Sequence, residues 1–226
     1  MTLQILPNLP AIRLKKDDAP LEAHILDPPP FEALIEKQGE VKIDTMDNIL
    51  NDLKFSPIVQ EETRKGIEAE ANRGYINASE EEVQILQQSK ARKIGPGTLT
   101  FEPSSLQGTP FEKFSLKGAY PTGKYLGKWT AIVRLFAMPD GILVELTEDD
   151  IVSSGGSENV IAKEGVDFYL HGFPATVIVQ QSESGAALSR VSWKTATKSY
   201  SMRMEGNVKT NGKKKLFLDL AQSLPD

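Results

Sequence analysis

The chain contains no cysteine. Disulfides, thiol nucleophiles and zinc–thiolate sites are excluded together. Histidine is nearly absent too, with His24 and His171 the only two in 226 residues. A serine nucleophile ordinarily needs a His base held by a carboxylate. The sequence has no G-x-S-x-G elbow to present one. The two His are 147 positions apart and H-E-x-x-H does not occur, so they make no metal-ligand spacing. An excess of positive charge is also missing. Lys and Arg number 26 against 31 Asp and Glu, leaving a net charge of -5 and a pI near 5.3. Bulk electrostatics therefore argue against nucleic acid and against anionic membrane as partners. No apolar run approaches the roughly 20 residues of a membrane-spanning helix. Near the start, Pro7 and Pro10 interrupt the apolar stretch, and Lys15 and Lys16 follow it where a signal peptide has its charges in front.

What remains is an ordinary globular composition, 39% hydrophobic and 25% charged. It is long enough to bury a core without staples. Six of the 14 prolines fall before residue 31, including Pro28, Pro29 and Pro30. Proline removes donors and pushes its predecessor to extended geometry, so residues 1–43 read as a Pro-rich arm or linker. Residues 44–97 read as a helical subdomain. Asp44 or Thr45 can cap a first helix whose buried stripe is Met46, Ile49, Leu50 and Leu53. Ser56-Pro57 opens a second helix that Gly74 stops. Ser79 and Glu82 form a capping box for a third, with Val83, Leu86 and Ile94 inward.

From residue 98 the period changes to two. Residues 98–226 read as an antiparallel β domain with a C-terminal helix. Strands are expected near 98–102, 111–119, 129–138, 142–147, 158–163, 166–171, 175–181, 188–194 and 198–205, with Pro139-Asp140-Gly141 as a turn. Gly118 to Lys124 echoes part of a phosphate loop, but Tyr125 follows the Lys, and the stretch reads as a hairpin connection. Glu148, Asp149 and Asp150 lack an EF-hand frame and read as a solvated acidic loop. Leu216, Phe217, Leu220, Ala221 and Leu224 form an apolar stripe on a closing helix. Helices segregated from a run of strands give the fold class α+β.

Trp193 and Tyr200 flank a hairpin whose loop is 194–199, and central pairing makes them neighbours on one face, beneath the closing helix. In residues 163–224, Gly172 at a turn, Trp193, Tyr200 seven positions on, and Ala221, Ser223 and Leu224 at the end of a helix follow a pattern. It resembles the small C-terminal domains of the RseB/MucB type of bacterial anti-sigma-factor regulators. The resemblance implies a non-catalytic protein with no cofactor and no metal, working in the bacterial envelope through protein contact or by sensing a hydrophobic ligand. Its structural positions are Gly172, Trp193, Tyr200, Phe217, Leu220 and Ala221. The expected partner is a protein and not nucleic acid, with membrane contact only through an anchor outside this sequence. The envelope is expected if Met1 is not the native start, the cytoplasm if it is. Two other readings stay open: a cytoplasmic immunity-type protein that neutralises a basic toxin, and an enzyme using carboxylates or a bound metal.

Overall fold

The computed structural model describes residues 41–52, 57–88, 97–155 and 159–225. The N-terminal part contributes β1 (Val41–Asp44), α1 (Met46–Asp52), α2 (Pro57–Arg73), β2 (Ile76–Asn77), α3 (Glu80–Val83) and α4 (Ile85–Gln88). Then come β3 (Ser115–Tyr125), β4 (Trp129–Ala137), β5 (Leu143–Asp150), β6 (Asn159–Ala162), β7 (Phe168–Leu170), β8 (Phe173–Gln181), β9 (Ala187–Lys194), β10 (Lys198–Glu205) and α5 (Lys214–Gln222).

The local helix chemistry follows the residues. Thr45 Oγ1 accepts from Asn48 N–H at 3.2 Å, so Thr45 rather than Asp44 caps α1. Ser79 and Glu82 close both bonds of the capping box at α3. Gly74 ends α2 at φ 77, a backbone state that costs glycine nothing. The single helix expected after Ser79 is two short ones, broken at Gln84. Leu53, Ser56 and Ile94 lie outside the described residues, as does the Pro-rich arm up to residue 40.

Strands β2-β8-β9-β10-β5-β4-β3 form one sheet in that order, and β7 also pairs with β8. The fold is α+β. The long strands are antiparallel, but β2 joins β8 in parallel, so the sheet is mixed where a purely antiparallel one was expected. A separate two-stranded parallel ladder joins β1 to β6. Both parallel additions come from segments of two to four residues, too short for alternation to reveal them. Residues 98–102 are not a strand. They form a strap whose one strand-like bridge to the sheet joins Leu99 to Trp129. Gly118 to Lys124 is not a connection but lies inside β3. The loop of that hairpin is Leu126-Gly127-Lys128, between paired Tyr125 and Trp129.

Alternation gives the sheet two faces. On one, Val144, Leu146, Val177, Val191, Met202 and Met204 pack with α5 in the main core. Phe217, Leu220 and Ala221 are fully buried there, as the stripe predicts, and Leu218 joins them. The 3₁₀ turn Pro110–Lys113 drives Phe111 into the same core, against Phe136. Two smaller clusters carry the helices. Met46 and Leu50 of α1, Ile67 of α2 and Ala162 of β6 form one. Val83 and Leu86 meet Leu135 and Leu188 on the opposite face of the sheet.

Candidate functional site

Two polar constellations stand out, one on each face. The first lies at the end of the core face, under the strap 97–109. Glu148, Asp149 and Asp150 are not a solvated loop. They close β5, and Glu148 and Asp150 are buried. Glu148 pairs with Arg134, accepts from Ser104 N–H at 2.9 Å, and faces Lys198 Nζ at 3.5 Å. Arg134 Nη1 also donates to Ser104 O at 3.0 Å. Asp150 accepts from Thr100 Oγ1 at 2.9 Å and from the N–H groups of Val152 and Ser153, each at 3.1 Å. Burial alone pushes the Asp150 carboxyl up. The hydrogen bonds of Ser153, Thr100 and Val152 outweigh it and hold the group below the ordinary range. The strap is thus pinned to the sheet by charge-assisted hydrogen bonds.

This cluster contains one pair with catalytic potential, Ser104 Oγ and Lys198 Nζ at 3.1 Å. The lysine directs its three hydrogens at Ser104 Oγ, Glu102 O and Glu148 Oε2. Its contacts to Glu102 O and Glu148 Oε2 tie the amine to the strap and the sheet as well as to the serine. Ser104 Oγ in turn meets Tyr200 OH at 2.9 Å, and Tyr200 OH donates to Pro225 O at 3.1 Å. Tyr200 stands directly opposite Trp193, with ring centroids 4.8 Å apart and planes at 7°. Both are buried beside α5. Of the remaining sequence-derived positions, Gly172 stands apart from Trp193, Tyr200, Phe217, Leu220 and Ala221. It forms with His171 the two-residue loop between Leu170 and Phe173. His171 has φ 50 and Gly172 φ 86, the positive pair that a type I′ turn requires.

The second constellation occupies the opposite face, and sequence reasoning missed it. One row across the sheet, in register, is Tyr120, Val133, Thr147, Ser201, Ser192 and Thr176. The next is Leu135, Glu145, Arg203, Arg190 and Ile178. Helices α3 and α4 wall off the far end through Leu135, Leu143 and Leu188. Glu145 is buried and bound by the Arg203 guanidinium, with Arg203 Nε at 2.8 Å. Arg190 lies directly opposite Arg203 and has no hydrogen-bond or ion-pair partner among the described residues. Burial, then the like charge of Arg203, pull the Arg190 guanidinium below its usual range. Glu145 Oε2, Asp149 Oδ1 and Glu205 Oε1 are likewise buried and unpartnered among the described residues, and all three side chains belong to this face. Burial is also the main cause raising the Asp149 carboxyl, with Asp150 adding to it. Unpartnered buried polar atoms are costly and uncommon, so their concentration on one face calls for a cause.

The pattern behind this face is present in the sequence. In Arg190–Lys194 and Ser199–Glu205, polar residues recur at every second position between Val191, Trp193, Tyr200, Met202 and Met204. Such alternation shows a polar face, but the side-by-side placement of Arg190 and Arg203 depends on strand register. Among the described residues, no group of three or more His, Asp or Glu side chains is arranged to hold a metal ion. No known family model, curated protein or solved structure matches this chain.

Proposed function

We propose that this chain is a non-catalytic binding protein whose partner is recognised by the polar face of the sheet around Arg190. In line with the resemblance of residues 163–224, the partner is a protein and the setting is the regulation of the bacterial envelope. Arg190 carries the reading. A half-buried guanidinium set against a second arginine, with no acceptor among the described residues, is a poor choice for stability. It is a good choice for a surface that receives an acceptor from outside, because arginine presents its donors in a fixed fork to a carboxylate or a carbonyl. The hydroxyls of Ser192, Ser201, Thr147 and Thr176 beside it supply further donors and acceptors for an extended partner segment. The other constellation supports the same reading, since Ser104 and Lys198 are tied into the strap.

The experiment compares partners retained by the wild-type chain with those retained by Arg190→Met and by Ser201→Arg, using affinity capture and mass spectrometry. A species held by the wild type and lost on both variants, which must themselves remain folded, supports the reading. A partner retained equally by all three refutes the assignment of this face.

A further inference from the structure

Of the seven large exposed apolar side chains among the described residues, Ile58, Val59, Ile85 and Leu116 lie apart, and the other three share one end of the sheet. Tyr125 and Leu126, exposed by 62% and 48%, lie at the tip of the β3–β4 hairpin. Val152, exposed by 67%, follows the end of β5. The pairing of Ala131 with Asp149 brings that end of β5 beside the start of β4, so Val152 and the hairpin tip share one end of the sheet.

The tip is built as a fixed display. Leu126 N–H donates to Lys128 O at 2.8 Å across the three-residue loop, and Gly127 at φ 81 makes the reversal. One turn earlier, β3 slips register between Thr122 and Tyr125. Gly123 occupies that bulge at φ 80, where an added Cβ would come within 2.5 Å of Thr130 Oγ1. Lys124 N–H donates to Thr130 Oγ1 at 3.0 Å and fixes the bulge. Below the loop, the Tyr125 and Trp129 rings lie 5.1 Å apart. The strap braces Trp129 from the side, through Trp129 N–H to Thr98 O at 2.8 Å and Thr100 N–H to Trp129 O at 2.9 Å.

Charge at this tip runs against the rest of the molecule. Residues 122–129 carry exposed Lys124 and Lys128 and no acid, in a chain of net charge -5. Asp150 nearby is consumed by its own hydrogen bonds, Asp149 beside it is half-buried, and in the strap Glu102 is the one acid among 97–105. Screening confines a charge to about 8 Å at physiological salt, so a surface touching the tip meets the two lysines and not the bulk acidity. Two lysines flanking a projecting tyrosine and leucine, above a half-buried tryptophan, is the chemistry that suits a bilayer interface. Amphipathic rings sit at the headgroups, the aliphatic tip enters the acyl boundary, and ammonium groups meet anionic lipid.

We propose that the β3–β4 hairpin tip docks this protein on the surface of a bilayer containing anionic lipid. The contact proposed is one on the bilayer surface, and no helix among the described residues is long and apolar enough to cross a membrane. The proposal uses residues separate from the Arg190 face, and either can fail without the other.

The test is co-sedimentation of the full chain at physiological ionic strength with vesicles of phosphatidylcholine alone, or of phosphatidylcholine and phosphatidylglycerol in equal parts. Binding is expected to the mixed vesicles and to fade with added salt. Leu126→Asp, and Lys124→Glu with Lys128→Glu, are each expected to lower the partition coefficient at least about tenfold. These positions are exposed, and circular dichroism with a thermal melt checks that the variants stay folded. Trp129 provides a second readout. Trp193 is buried in the core, so a blue shift on adding vesicles reports the tip. Equal partition into neutral and mixed vesicles, or partition unchanged in both variants, overturns the proposal.

Discussion

On the core face of the sheet, the fully buried Glu148 has an arginine, a lysine and a backbone N–H on its oxygens. On the opposite face, Arg190 faces another arginine and has no acceptor among the described residues. Both are charges taken out of water, at a cost of several kcal/mol per ion before compensation. The first is compensated within the chain. The second has no such compensation among the described residues. On the proposed reading the difference separates a charge used to hold the fold together from a charge that receives a partner, and the two should respond to substitution in opposite directions.

The largest effect is expected at Glu148. Glu148→Ala leaves Arg134 and Lys198 facing each other without their counter-charge and frees the strap. The loss should be about 3–5 kcal/mol, the usual result of removing one partner from a buried pair. Since each kcal/mol moves the midpoint of a chain this size by about 2–4 °C, the thermal midpoint should fall by roughly 6–20 °C. A fall of only a degree or two would show that the strap does not depend on this carboxylate. A loss of about the same size, 3–5 kcal/mol, is expected for Phe217→Ala, through a cavity instead of an orphaned charge. An unchanged urea midpoint in that variant would remove Phe217 from the core. Together the two variants separate the electrostatic and apolar shares of one face.

Arg190→Met should act in reverse. It removes a desolvated charge and leaves a flexible apolar side chain of similar reach beside Ile178. Stability in urea should stay level or rise by about 1 kcal/mol, while partner capture is lost. A variant that is both clearly less stable and fully able to capture its partner would place Arg190 with Glu148, as a residue of the fold.

The sequence made the core face legible and the opposite face only half so. Alternation in Lys198–Glu205 reveals a strand, and the nearly continuous apolar run Trp129–Ala137 reads as a strand buried on both faces. Phe217, Leu220 and Ala221 are legible as buried because a helix of nine residues must bury a stripe to persist. The Trp193–Tyr200 stack follows from a short loop that fixes the register. What could not be read are facts of long-range register. Glu148 looks like one of three loop acids until Ser104, 44 positions earlier, donates to it. Strand β2 has two residues, too few to carry a period. The pairing of Arg190 with Arg203 is legible only once β9 and β10 are aligned, although the alternation that puts both on one face is visible at once.

The smallest effect distinguishes the two faces by pH. Asp149 lies on the Arg190 face, half-buried, with Oδ1 unpartnered among the described residues. Burial and the neighbouring Asp150 raise its carboxyl above the ordinary range, so the folded state holds this proton more tightly than the unfolded chain does. Its ionisation therefore opposes folding. The penalty is absent below the unfolded carboxylate value of about 3.9, grows as pH rises through the raised folded value, and is complete above it. Asp150 next door has the opposite sign. Its carboxyl is held low by Ser153, Thr100 and Val152, so its contribution is present above the unfolded value and lost as pH falls through the lowered one. Asp149→Asn should therefore stabilise at neutral pH. Solvent reaches the group, which keeps the gain below about 1 kcal/mol, and the midpoint should rise by up to about 3 °C. The gap between variant and wild type should close as pH is lowered into the ordinary carboxylate range. A gap that is the same in acid and at neutral pH would trace the gain to packing instead of charge. A less stable variant at neutral pH would mean that the Asp149 carboxylate is compensated within the fold, as Glu148 is, and would leave Arg190 as the main uncompensated charge on its face.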